Sequence, residues 1–224
     1  ASFEQAIAIN PDQTEAYLNR GVLLSLLGRH KEAGSAYDAL LARWPDHADA
    51  YNNRGIAYLQ RGQPDRAADD FDQAVKLNPK NVSAWINRGN MNQGQGKFEQ
   101  ALMDYGQALQ LRSNDSTAHA GRADTFLRMG QPERALPEYD EAIKANAKNL
   151  GALVNRGETN RVLRRLDRAI ADFSQAIAAD PDAWAKFCAG EGKAMGALVG
   201  FVMKATQGKA DGKVVTALLN SKKG

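Results

Sequence analysis

One cysteine in 224 residues, Cys188, has no second sulfur to pair with. That excludes a disulfide framework and a cysteine-rich zinc site. Histidine is almost as scarce: His30, His47 and His119 show no spacing that would bring two imidazoles onto one metal. No apolar run is long enough to span a bilayer, and no charged start leads into an apolar core as a secretory signal would. Alternating strand patterns are missing too, so Gly94, Gln95, Gly96 and Lys97 read as a turn between helices and not as a phosphate loop. Carboxylates are plentiful but fall on what read as solvated helix faces, for example Asp69, Asp70 and Asp72. No acid, base and nucleophile can be assembled from these residues, so neither an enzyme nor a cofactor or metal site is expected.

What the sequence has instead is repetition. A 34-residue pattern recurs five times, at 14–47, 48–81, 82–115, 116–149 and 150–183. The fourth position of each copy holds Tyr17, Tyr51, Trp85, His119 and Leu153, and the eighth holds Gly21, Gly55, Gly89, Ala123 and Gly157. Position 20 is Ala33, Ala67, Ala101, Ala135 and Ala169, and position 24 is Tyr37, Phe71, Tyr105, Tyr139 and Phe173. Small residues at 8 and 20 let two antiparallel helices cross closely, while large residues at 4, 11 and 24 interdigitate. His119 therefore reads as a packed or capping histidine. Gly28, Gly62, Gly96 and Gly130 stand where the first helix must end in a left-handed residue. Pro64 and Pro132 suit the first turn of the next helix. Arg164 replaces that glycine in the fifth copy, so a strained turn is expected there, and Pro137 should distort the start of its helix.

This period and small/aromatic signature resemble the tetratricopeptide repeat over about four-fifths of the chain. The resemblance implies an all-α, right-handed solenoid of antiparallel helix pairs, with a protein or peptide ligand in a concave groove lined by the first helices. Position 6 points into that groove, and here it holds Asn19, Asn53, Asn87 and Asn155, with Gly121 interrupting the series. A ladder of amides, each with two donors and an acceptor, suits the backbone of an extended peptide. Leu18, Val22, Ile56 and Leu59 add an apolar strip edged by Glu15 and Asp49, while Val154, Glu158, Arg161, Arg164 and Arg165 make the far end arginine-rich. The terminal-carboxylate clamp of the chaperone-binding members needs a basic residue at positions 2, 5 or 6, and this chain has none there.

A second series is basic: Arg20, Arg54, Arg88, Arg122 and Arg156 at position 7. Acids stand at position 23 in four copies, Asp70, Asp104, Glu138 and Asp172, with Ala36 the exception. Matched series at fixed positions read as inter-helix ion pairs; spacing does not choose between the same copy and the preceding one.

The ends differ. Residues 1–13 match the second helix of a partial repeat, so any targeting signal lies outside the sequence, and a cytoplasmic location is expected. After Pro181 the register slips by three, and Asp182, Ala183 and Trp184 imitate the start of a sixth copy. Met195, Leu198, Val199, Val202 and Met203 form an apolar stripe at helical spacing. From Asp182 onward seven lysines face three acids, in a chain of formal net charge +3. Gly196 to Gly200, Val202 to Lys204, and Gly208 to Lys213 resemble the tail of the B subunit of tRNA-dependent amidotransferase, a small helical module. The resemblance implies tRNA as the alternative partner, with Lys193, Lys204, Lys209 and Lys213 as candidate contacts. Residues 184–224 are also expected to cap the last repeat, with Trp184 and Cys188 imitating the fourth and eighth positions of a sixth. Two families meeting between 183 and 184, each without its remaining body, point to an engineered fusion through a shared helix.

Overall fold

The computed structural model of the chain describes residues 13–178 and, beyond them, only Lys213, Thr216 and Ala217. Residues 13–178 form ten α-helices, Lys213, Thr216 and Ala217 are also helical, and no strand occurs among the described residues. The chain divides into two compact units, Ala1–Arg112 and Ser113–Gly224. The first contains α1 (Thr14–Leu26), α2 (His30–Arg43), α3 (Ala48–Gln60), α4 (Pro64–Leu77), α5 (Val82–Gly94) and α6 (Phe98–Leu111). The second contains α7 (Ser116–Arg128), α8 (Pro132–Ala145), α9 (Leu150–Val162) and α10 (Leu166–Ala178).

Each copy supplies one pair, and its last residue starts the next. His47, Asn81, Asp115 and Asn149 accept hydrogen bonds from backbone amides in the first turns of α3, α5, α7 and α9, satisfying donors that a helix start leaves orphaned. Second helices begin without such caps, Pro64 and Pro132 standing in the first turns of α4 and α8. The turn inside each pair is left-handed, with φ of +73°, +67°, +75° and +72° at Gly28, Gly62, Gly96 and Gly130. Arg164 adopts φ +58° at the same place. A residue with a Cβ is disfavoured there by about 1–2 kcal/mol, so the expected strain is present.

Within a pair the helices approach until the position-8 glycine meets the position-24 ring. A Cβ on Gly55 would lie 2.8 Å from Phe71 Cε1, and one on Gly21 would lie 2.3 Å from Tyr37 Cε1. Ala33, Ala67, Ala101, Ala135 and Ala169 are buried opposite. Position 4 bonds back to the loop before its own helix: Trp85 Nε1 donates to the Pro79 carbonyl at 2.8 Å, and His119 Nε2 lies 3.0 Å from the Ser113 carbonyl. His119 is thus a packed, bonded histidine, its Nδ1 2.8 Å from Glu138.

Two expectations need correction. Asp70 is buried and not solvated, because Arg54 binds both its oxygens. Position 11 is not uniformly large: Leu24, Tyr58 and Phe126 alternate with Asn92 and Asn160, which are buried and bonded to Asp104 and Asp172. Pro137 stands inside α8, which still spans 14 residues; without an N–H it cannot donate to the Glu133 carbonyl. Among the described residues no helix is long and apolar enough to cross a membrane, and no group of His, Cys, Asp or Glu could hold a metal ion.

Candidate peptide-binding face

In the first unit α1, α3 and α5 are successive neighbours, as are α7 and α9 in the second. Position 6 therefore recurs along one face of each unit: in the first Asn19 is exposed and Asn53 and Asn87 are half-buried, and in the second Asn155 is half-buried with Gly121 before it. These amides are already tied into the protein. Asn87 Nδ2 donates to Asn52 Oδ1 at 2.8 Å, and Asn52 Nδ2 donates to Asn53 Oδ1 at 3.1 Å. Asn155 Nδ2 donates to Asp124 Oδ1 at 2.9 Å, an oxygen that also accepts from the Tyr139 hydroxyl. Burial, with the Asp124 charge behind it, pushes the Tyr139 hydroxyl well above its usual range.

Asn52 and Asp124 were missed by sequence reasoning. The signal for Asn52 was there: position 5 is otherwise Leu18, Ile86, Ala120 and Val154, and a polar residue at an apolar position must find a bond. The Asn53 amide nitrogen has no hydrogen bond among the described residues.

The apolar strip is partly core. Leu18 packs against the clusters around Tyr37 and Leu40, and Ile56 and Leu59 against Tyr58, Phe71 and Met91. Val22 is half-buried. At the basic end Arg161 is bound to Glu158 through two hydrogen bonds, while Arg164 and Arg165 are exposed.

Arg54, Arg88 and Arg156 each lie between two second helices. Arg54 bonds Asp70 of its own copy at 2.7 and 2.9 Å, and Asp38 of the preceding copy at 2.7 Å. Arg88 does the same with Asp104 and Asp72, and Arg156 with Asp172 and Asp140. Position 25 of the preceding copy is thus the second acid, a series the sequence reading overlooked. Arg122 bonds only Glu138 among the described residues, and position 25 of the copy before it is Gly106. The hydrogen bond from Arg54 to Asp70 raises the Arg54 pKa above its usual value against the opposing effect of burial. These arginines are structural ion pairs.

Of the candidate tRNA contacts, Lys213 is exposed on helix. Lys193, Lys204 and Lys209, and the capping residues Trp184 and Cys188, lie outside the described residues.

A family model for the tetratricopeptide repeat matches residues 48–81 and 82–115, and another matches 1–48 and 120–183. A GatB domain model matches 166–222, overlapping the last repeat across α10. No curated protein matches the chain in sequence. Among solved structures, YrrB, a tetratricopeptide repeat protein described as having an unusual peptide-binding site, is 24% identical over 81% of this chain and 94% of its own, with TM-score 0.62. PilF of Pseudomonas aeruginosa is 16% identical over 93% and 89%, with TM-score 0.73. TTC0263, a thermophilic repeat protein of Thermus thermophilus, is 18% identical over 85% and 99%, with TM-score 0.65. At these identities the likeness is one of fold.

Proposed function

The chain belongs to the tetratricopeptide repeat family, and from that premise we propose that it is a non-catalytic scaffold whose first helices hold an extended peptide. One observation carries the reading: the amides of Asn53, Asn52 and Asn87 form a chain along the neighbouring helices α3 and α5 that leaves the Asn53 nitrogen as a donor. A peptide carbonyl would accept from it, and Leu18, Val22, Ile56 and Leu59 would border the bound chain. YrrB, similar in fold, is described as having a peptide-binding site, which supports the same class of ligand. A cytoplasmic location belongs to this reading. The overlap of the two family matches supports reading the chain as an engineered fusion, with repeats joined through a shared helix to a GatB-type tail.

The test is selection of ten-residue peptides from a random display library on the full chain, followed by calorimetry with Asn53→Ala. Loss of one neutral hydrogen bond is worth about 0.5–1.5 kcal/mol, so affinity should fall roughly two- to tenfold. Undiminished affinity for every selected peptide removes the amide ladder from recognition.

A further inference from the structure

Position 11 varies in kind, and position 19 holds an arginine in the second, fourth and fifth copies. In the second copy Arg66 lies over the Tyr58 ring, 4.1 Å from its centroid, and its Nη2 donates to the Tyr58 hydroxyl at 2.6 Å. In the fourth, Arg134 lies over the Phe126 ring, also at 4.1 Å. The fifth copy keeps the arginine, Arg168, but replaces the ring with Asn160. A cleft of about 560 Å³ opens at this place between α8 and α10, lined by both residues together with Pro137 and Ala171. Asn160 is only 3% exposed; its Nδ2 donates to Asp172, while its Oδ1 is buried with no hydrogen-bond partner among the described residues.

A cation whose own copy offers no ring beneath it, a slot where the second and fourth copies put a ring, and a buried acceptor lacking a donor together describe one ligand. We propose that this cleft binds an aromatic side chain bearing an O–H or N–H, a tyrosine or tryptophan presented by a protein partner. The ring takes the place that Tyr58 and Phe126 fill in their own copies, Arg168 lies over it, and its donor satisfies Asn160 Oδ1. An aliphatic side chain offers neither the π-face nor the donor. The third copy is the internal contrast. Asn92 leaves a similar cleft between α4 and α6, but position 19 there is Gln100, so no arginine of that series covers it.

The site joins Asn160 of α9 to second-helix residues of α8 and α10, and it shares none of Asn19, Asn53, Asn87, Asn155, Leu18, Val22, Ile56 and Leu59 with the peptide reading. Asn53→Ala leaves it intact, and filling it leaves that face unchanged, so the two can fail separately. The experiment is a backbone-amide NMR titration of the full chain with N-acetyl-tyrosinamide and N-acetyl-tryptophanamide, with N-acetyl-leucinamide as control. The aromatic probes should produce saturable shifts at Asn160, Arg168 and Ala171, and the leucine probe none. Asn160→Tyr, which restores the second copy's arrangement, should abolish the shifts. Arg168→Gln, at an exposed position that leaves the fold untouched, should weaken binding about two- to fivefold, the scale of a cation–π contact at an exposed site. If Asn160→Tyr fails to fold, the Arg168 variant decides alone. Equal response to the leucine probe, undiminished binding in either folded variant, or no shifts in the parent chain overturns the proposal; the last outcome includes occupation of the slot by the chain's own residues.

Discussion

Replacing Arg88 with methionine asks whether the arginine series holds the repeats together. The variant keeps the stem's apolar packing and removes the guanidinium. Asp104, whose side chain is 3% exposed, would be left with Asn92 as its hydrogen-bond donor. Breaking a buried pair by removing one partner costs about 3–5 kcal/mol, because the remaining charge stays out of water. Asp72, whose side chain is 63% exposed, loses a partner it scarcely needs, at about 0–1 kcal/mol. The first figure dominates, so Arg88→Met should destabilise the first unit by roughly 3–5 kcal/mol. Asp72→Asn should cost under about 1 kcal/mol. Adding Asp104→Asn to Arg88→Met removes the stranded charge while keeping an acceptor for Asn92, and should restore most of the loss. Hydrogen exchange of α5 and α6 amides reads this without assuming that the units unfold in one step. A loss below about 1 kcal/mol for Arg88→Met, the size of an ordinary surface pair, would refute the reasoning.

Arg122→Met should cost less than Arg88→Met, since Glu138 is more exposed than Asp104 and keeps His119 as a partner; the same exchange measurement on α7 and α8 checks the order. Gly21→Ala should destabilise by about 1–3 kcal/mol, because its Cβ would fall 2.3 Å from Tyr37 Cε1. Gly157→Ala, at 3.0 Å from Phe173, should stay within about 1 kcal/mol of the parent, the helix-forming gain of alanine offsetting the crowding. Urea midpoints in the reverse order would show that the rings yield freely. Arg164→Gly should stabilise by up to about 1 kcal/mol, the left-handed cost removed less the added freedom of glycine in the unfolded chain; a lowered urea midpoint would contradict this.

The sequence by itself determined the helix pairs. Gly28 to Gly130 mark turns because only a residue without Cβ takes positive φ freely, and Gly21 with Tyr37 marks a crossing because period and size complement each other. Such signals are local or repeat at a fixed interval, so they can be read along one dimension. The arginine series was legible only as charge matching. That Arg88 reaches position 23 of its own copy and position 25 of the one before depends on how one second helix lies beside the next, which spacing does not state. The amide ladder was legible in Asn53 and Asn87, but the bond from Asn87 to Asn52 required the faces of α3 and α5 to meet. Asn160 shows the limit most plainly. In sequence it is one polar residue at a variable position; only packing decides that its carbonyl is buried without a donor, beside an arginine whose counterparts lie over rings. Burial and partnership belong to pairs of residues distant in the chain, so the tertiary structure alone assigns them.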